Sequence, residues 1–141
     1  MIYKISEAAR KAGFYVGEEI ELFDLTFFDL EGKEVAVIEF EQSDEKKIDL
    51  LINKLSEKPT PHKILITVLP KYVGDIREKI KEVSSKDKES TWIFGNIDLD
   101  SDTKFGLYHW RWRGYEFYVY RGGELHKTRR FREEIHQISK F

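Results

Sequence analysis

From Leu22 to Glu41 apolar and polar residues alternate with a period of two, interrupted once by a turn. Phe23, Leu25 and Phe27 share one face of the first arm, and Asp24 and Thr26 share the other with Leu22 and Phe28. Asp29-Leu30-Glu31-Gly32-Lys33 supplies turn residues, with Gly32 able to take a positive φ. On the second arm, Glu34 to Glu41, Ala36, Ile38 and Phe40 take one face; Val35, Val37, Glu39 and Glu41 take the other. Each arm therefore has one apolar face and one mixed face with acids towards one end. That pattern predicts a sheet covered on both sides, with a pocket at its rim.

The flanking pattern changes period. Ile5, Ala8, Ala9 and Ala12 recur at helical spacing from Ile2, with Gly13 as a C-terminal stop. Phe14-Tyr15-Val16 begins a short strand, Gly17 allows a bend, and Glu18, Glu19 and Glu21 precede the hairpin. Ser43 is a good N-cap for a helix whose stripe is Ile48, Leu51, Ile52 and Leu55, ending before Pro59. His62 to Leu69 reads as a buried strand closed by Pro70, which makes the strand–helix–strand unit a right-handed parallel crossover. A helix over Val73 to Val83 turns Ile76, Ile80 and Val83 inward, and Thr91 to Phe94 reads as a strand. Asn96 to Thr103, with Asp98, Asp100 and Asp102, reads as a loop; it lacks the glycine and distal glutamate of a calcium loop. Phe105 to Tyr120 reads as a second hairpin turning near Arg113-Gly114. Tyr108, Trp110 and Trp112 lie on one face and His109, Arg111 and Arg113 on the other. Gly122-Gly123 breaks that pattern, and Arg132 to Phe141 forms a short last helix. The expectation is a single α/β domain over 1–141. It has a mixed sheet of about four or five strands flanked by helices, with an added C-terminal aromatic β-hairpin.

Composition adds boundaries. An apolar content of 40% suits a packed core, and the 35% charged residues exceed the usual level of about 25%. Richness in Lys, Glu and Ile is compatible with a thermophilic source. The absence of Cys excludes a disulfide framework and a thiolate zinc site. No histidine pair has zinc spacing, and neither a Ser-His-Asp set nor a phosphate-binding glycine loop is present. Met1 leads straight into an amphipathic segment, and no apolar run approaches the roughly 20 residues that span a bilayer, so a soluble cytoplasmic protein with no membrane partner is expected. The net charge of −2 hides a polarity: residues 1–60 hold fourteen acids and eight bases, whereas 104–132 hold eight bases and two acids. An acidic half beside a basic one suggests a cation site near a polyanion-binding surface, or else two solvated surfaces.

Asp24 and Glu39 would sit on neighbouring strands about 4.8 Å apart, close enough to share one ion. Glu41, two residues beyond Glu39, faces the same way, and the Phe40 carbonyl lies between them. Such hard oxygen donors suit Mg²⁺ or Mn²⁺. His109, Arg111, Arg113, Lys127, Arg129 and Arg130 are the candidates for contact with a nucleic-acid backbone.

Glu7, Gly13-Phe14, Asp24 and the run Val37-Ile38-Glu39-Phe40-Glu41 together resemble the PD-(D/E)xK nuclease superfamily. Residues 1–70 are similar to archaeal Holliday-junction resolvases. The resemblance implies a restriction-endonuclease-like core, with Asp24 and Glu39 as metal ligands and Glu7 orienting a metal-bound water. The chain departs from the pattern twice. Phe23 stands where the motif has proline, and Glu41 stands where it has the catalytic lysine. Glu41 could then be a third ligand or a catalytic group, and Lys46 or Lys47 at the start of the next helix could supply the displaced cation. The leading expectation is a metal-dependent DNA endonuclease, possibly resolvase-like and homodimeric. The alternatives are a non-catalytic nucleic-acid-binding protein and an assembly protein that uses the aromatic hairpin as its interface.

Overall fold

The computed structural model describes residues 2–20, 23–41, 46–67, 72–87, 89–102, 109–122, 124–128, 135, 137 and 138. In chain order the elements are α1 (Ile2–Lys11), β1 (Tyr15–Ile20), β2 (Phe23–Phe28), β3 (Glu34–Glu41), α2 (Lys46–Ser56), β4 (His62–Thr67), α3 (Val73–Ser84), β5 (Thr91–Asp102), β6 (His109–Arg121) and β7 (Glu124–Thr128). The fold is α/β, a mixed sheet flanked by helices.

Strand order in the sheet follows the sequence, β1 to β7. β3, β4 and β5 are parallel, and the other neighbouring pairs are antiparallel. The parallel centre is read directly from the sequence, because every residue of β4 is buried, as expected of a strand covered on both faces. Ile48, Ile52 and Leu55 of α2 and Ile76 and Ile80 of α3 pack on one face with Val37, Leu65, Trp92 and Phe94. Ile5 and Ala9 of α1 cover the other with Leu25, Phe27, Ile38, Ile64, Ile66 and Ile93. Ile135 and Ile138, both helical, join the α1 side.

Local chemistry sets the joints. Gly13, at φ 99°, ends α1. The Phe14 N–H donates to the Ala9 carbonyl at 3.0 Å and the Gly13 N–H to that of Arg10 at 3.0 Å, a Schellman closure. In the β2–β3 turn, Asp29 Oδ1 accepts from the Glu31 and Lys33 N–H groups at 2.9 and 2.8 Å, and Gly32 takes φ 82°.

The C-terminal half differs from the sequence expectation. The described sheet has seven strands, in keeping with four or five plus an added hairpin, but the C-terminal strands have other bounds. Asp98, Asp100 and Asp102 lie within β5, not in a loop, and Gly114 lies within β6, paired with Ile97. The arms of that hairpin are thus β5 and β6, with residues 103–108 between them. Gly122 (φ 61°) turns β6 into β7, a strand not anticipated in the basic tail. The register explains the discrepancy. Asp98 pairs with Arg113, Asp100 with Arg111 and Asp102 with His109, while Leu99 pairs with Trp112 and Ser101 with Trp110. The strand is set by pairing between two segments distant in sequence, which neither polar run signals alone.

Candidate functional site

The site forms where β2 separates from β3. Their ladder runs from Phe28↔Glu34 to Leu25↔Ile38. Two residues past Ile38, the Phe40 N–H donates at 2.8 Å to Asp24 Oδ2 instead. β3 continues alongside β4 as far as Glu41↔Thr67. On the outer side, Glu19 of β1 takes φ 54°, a left-handed conformation that is strained for glutamate, next to the pair Ile20↔Phe23. Released from β3, residue 23 changes face. Phe23 packs with α2, whereas Leu25 and Phe27 pack with α1, so the expected common face for the three holds only for the last two.

Glu39 lies on the α2 face, paired in register with Leu65, and is 4% exposed. Lys54 Nζ of α2 donates to its Oε1 at 2.7 Å. Burial pushes the Glu39 carboxyl up from 4.5 to about 7. Lys54 opposes that rise, and the neighbouring Asp24 adds to it through its charge and a hydrogen bond between the two carboxyl groups. Among the described residues, two acids thus meet one lysine at the end of a split between strands, with Glu39 largely out of water.

Asp24 and Glu39 are brought together as the sequence pattern requires. Glu41 is in β3 opposite Thr67; its side chain, like that of Lys46, is outside the described residues. Among the described residues there is no group of three or more His, Cys, Asp or Glu side chains able to hold a metal. Glu7 is half-exposed on α1 and pairs with Lys11 one turn on, at 3.8 Å. Lys47 is exposed in the first turn of α2. Among the described residues, the lysine that meets Glu39 is Lys54. Helical side chains lean towards the N-terminus, so a lysine two turns into an antiparallel-running helix reaches back to the strand end. In the sequence Lys47, Leu51 and Lys54 recur at helical spacing along one flank of α2.

Of the nucleic-acid candidates, His109, Arg111 and Arg113 lie on β6 at register positions opposite aspartates. From 96 to 132 the chain holds eight bases against five acids, a weaker imbalance than the window starting at 104 suggests. Lys127 is exposed on β7, with Nζ 5.9 Å from the Tyr118 ring centroid. Arg129 and Arg130 are outside the described residues. No helix among the described residues is long and apolar enough to cross a membrane.

No protein-family model and no curated protein matches the chain. Among solved structures it is similar to the YaeQ protein from Xanthomonas axonopodis pv. citri, at 11% identity and a TM-score of 0.39, over 91% of this chain and 75% of that one.

Proposed function

We propose that this protein is a metal-dependent endodeoxyribonuclease whose site is built from Asp24, Glu39 and Lys54. The observation that carries this reading is the pairing of two carboxyl groups, one of them buried, beside Lys54. Among the described residues, two acids and one ammonium give the ionised site an excess negative charge. A buried carboxylate without compensation is costly, and oxygen donors at this spacing suit a hard divalent ion. Asp24 and Glu39 would hold Mg²⁺ or Mn²⁺, with Glu41 as the third acid that the sequence offers. When bound, such an ion lowers the pKa of water and offsets phosphate charge.

The chain's own groups then have distinct tasks. Asp24 is fixed by the Phe40 N–H, so its remaining oxygen is held in a set direction. Glu39 must give up its proton to act as a ligand, and its midpoint of about 7 makes that a neutral-pH event. Lys54, 32% exposed, meets Glu39 in the resting site and is the cation within reach of a phosphodiester entering there. It takes the charge role that the motif assigns to the strand lysine and that Glu41 cannot fill.

The test is nicking of supercoiled and branched DNA with Mg²⁺ or Mn²⁺. Wild type should cut; Asp24→Asn and Glu39→Gln should lose at least about 100-fold, and Lys54→Met a similar factor. DNA binding with no cutting by the wild type under either metal would instead favour the non-catalytic reading. A second reading has its own support. The β5–β6 register alternates opposite-charge pairs with positions holding Ile97, Leu99, Trp110 and Trp112, the pattern of a ribbon with one apolar face, which favours self-association there. Sedimentation of wild type against Trp110→Ser/Trp112→Ser distinguishes a dimer built on this ribbon from a monomer.

A further inference from the structure

We propose that Phe23 is a positioning residue for Lys54, holding its ammonium group beside Glu39; this rests on the reading of Lys54 as the cation of the nuclease site. Phe23 is 3% exposed and lies on the α2 side of the sheet. Lys54 Nζ is 4.4 Å from its ring centroid and Lys58 Nζ is 5.2 Å away, both within cation–π range. Lys58 is also held by Glu34, at 3.4 Å to each oxygen, and Glu34 accepts the Thr60 hydroxyl at 2.6 Å. Lys54 reaches in the other direction, to Glu39 at 2.7 Å. The ring is therefore a platform shared by two lysines, one tied to the start of β3 and one to its acidic end.

The chemistry of the ring explains why it belongs here. A lysine on a helix has four flexible side-chain bonds and must be fixed from more than one side to stay in register with a phosphate. A further carboxylate would fix it, but would also compete for a divalent ion. An aromatic face attracts an ammonium group and offers no oxygen to Mg²⁺ or Mn²⁺. The face change of Phe23, allowed where β2 leaves β3, is what brings the ring under α2.

The experiment compares Phe23→Tyr, Phe23→Leu, Lys54→Met and the Phe23→Leu/Lys54→Met pair with wild type. The first readout is the NMR shift of the Lys54 ε-methylene protons, which does not depend on catalysis. Wild type and Phe23→Tyr should show the upfield ring-current shift, and Phe23→Leu should return it to the free-lysine value. The second readout is single-turnover nicking. Phe23→Leu should slow it about threefold to thirtyfold, Phe23→Tyr should restore it, and Phe23→Leu should add nothing to Lys54→Met. DNA Kd should stay within about twofold for Phe23→Leu and Phe23→Tyr, since only the reacting geometry is disturbed. A wild-type Lys54 without the upfield shift overturns the proposal even if Phe23→Leu fails to fold. So does equal slowing by Tyr and Leu, or a Phe23→Leu loss that multiplies with that of Lys54→Met. If wild type cuts no DNA, the nuclease reading falls, and the methylene shift still decides whether Phe23 holds Lys54.

Discussion

Two lysine–carboxylate contacts on the α2–α3 face of the sheet have opposite burdens. In the first, Lys63 of β4 is the buried partner, 1% exposed, and Asp87 is 39% exposed at 3.6 Å. Lys63 also donates to the Ser56 carbonyl at 3.3 Å and lies 5.3 Å from the Trp92 ring. Asp87 is held below the usual carboxylate range, first by the Ser90 hydroxyl at 2.6 Å and then by Lys63 and nearby N–H groups. Its charge is satisfied several times over. In the second contact the acid is the buried partner. The Glu39 side chain is 5% exposed, that of Lys54 is 32% exposed, and a second acid, Asp24, stands beside them. The Lys63–Asp87 contact has the marks of a structural tie. The Glu39 contact instead sets a buried carboxyl, pushed up by burial, beside a second acid, the arrangement on which the proposed ligand site rests.

The largest test of this contrast is stability against pH without metal. Glu39 has a folded midpoint of about 7, raised from 4.5. The proton is therefore held more tightly in the folded state. The associated stability is complete below 4.5 and is lost as pH rises through about 7, amounting to about 3 kcal/mol. Urea titrations of wild type should show this loss between those limits, and Glu39→Gln should remove it. A flat difference between the two proteins across that range would place Glu39 with Asp87 as a satisfied acid.

Next in size is removal of each lysine at pH 8. Lys54→Met leaves a buried carboxylate uncompensated and should cost about 2 kcal/mol, most of which returns on acidification. Lys63→Met replaces a buried ammonium with an apolar group of similar volume, while Asp87 keeps Ser90. It should cost less than about 1 kcal/mol. Equal costs in chemical denaturation would erase the distinction. The smallest effect is a gain: at pH 8, Glu39→Gln should stabilise the metal-free protein by about 1 kcal/mol, while abolishing nicking. Destabilisation by that change would mean that the Lys54 contact outweighs burial.

The central fold was legible because its signals are local. The β2–β3 alternation, the Asp29–Gly32 turn, the α2 and α3 stripes and the apolar run of β4 all decide within a few residues of each other. Asp24 and Glu39 followed from pairing two such arms. The features missed depend on distant partners. Asp98, Asp100 and Asp102 read as loop because their register partners, Arg113, Arg111 and His109, come from another strand. Phe23 changes face because the ladder beside it ends, which alternation within β2 cannot reveal. Lys54 is one of several lysines on an amphipathic helix, and only the antiparallel packing of α2 over β3 singles it out.

The most direct test of the central claim is the Mn²⁺-dependent rise in Tm at pH 6 and pH 8, for wild type, Asp24→Asn and Glu39→Gln. If the two carboxylates are a cation site, Mn²⁺ raises the wild-type Tm, and does so more at pH 8, where Glu39 has lost its proton. Both variants should lose the rise. A wild-type Tm indifferent to Mn²⁺ at pH 8, or an equal rise in all three proteins, would contradict it.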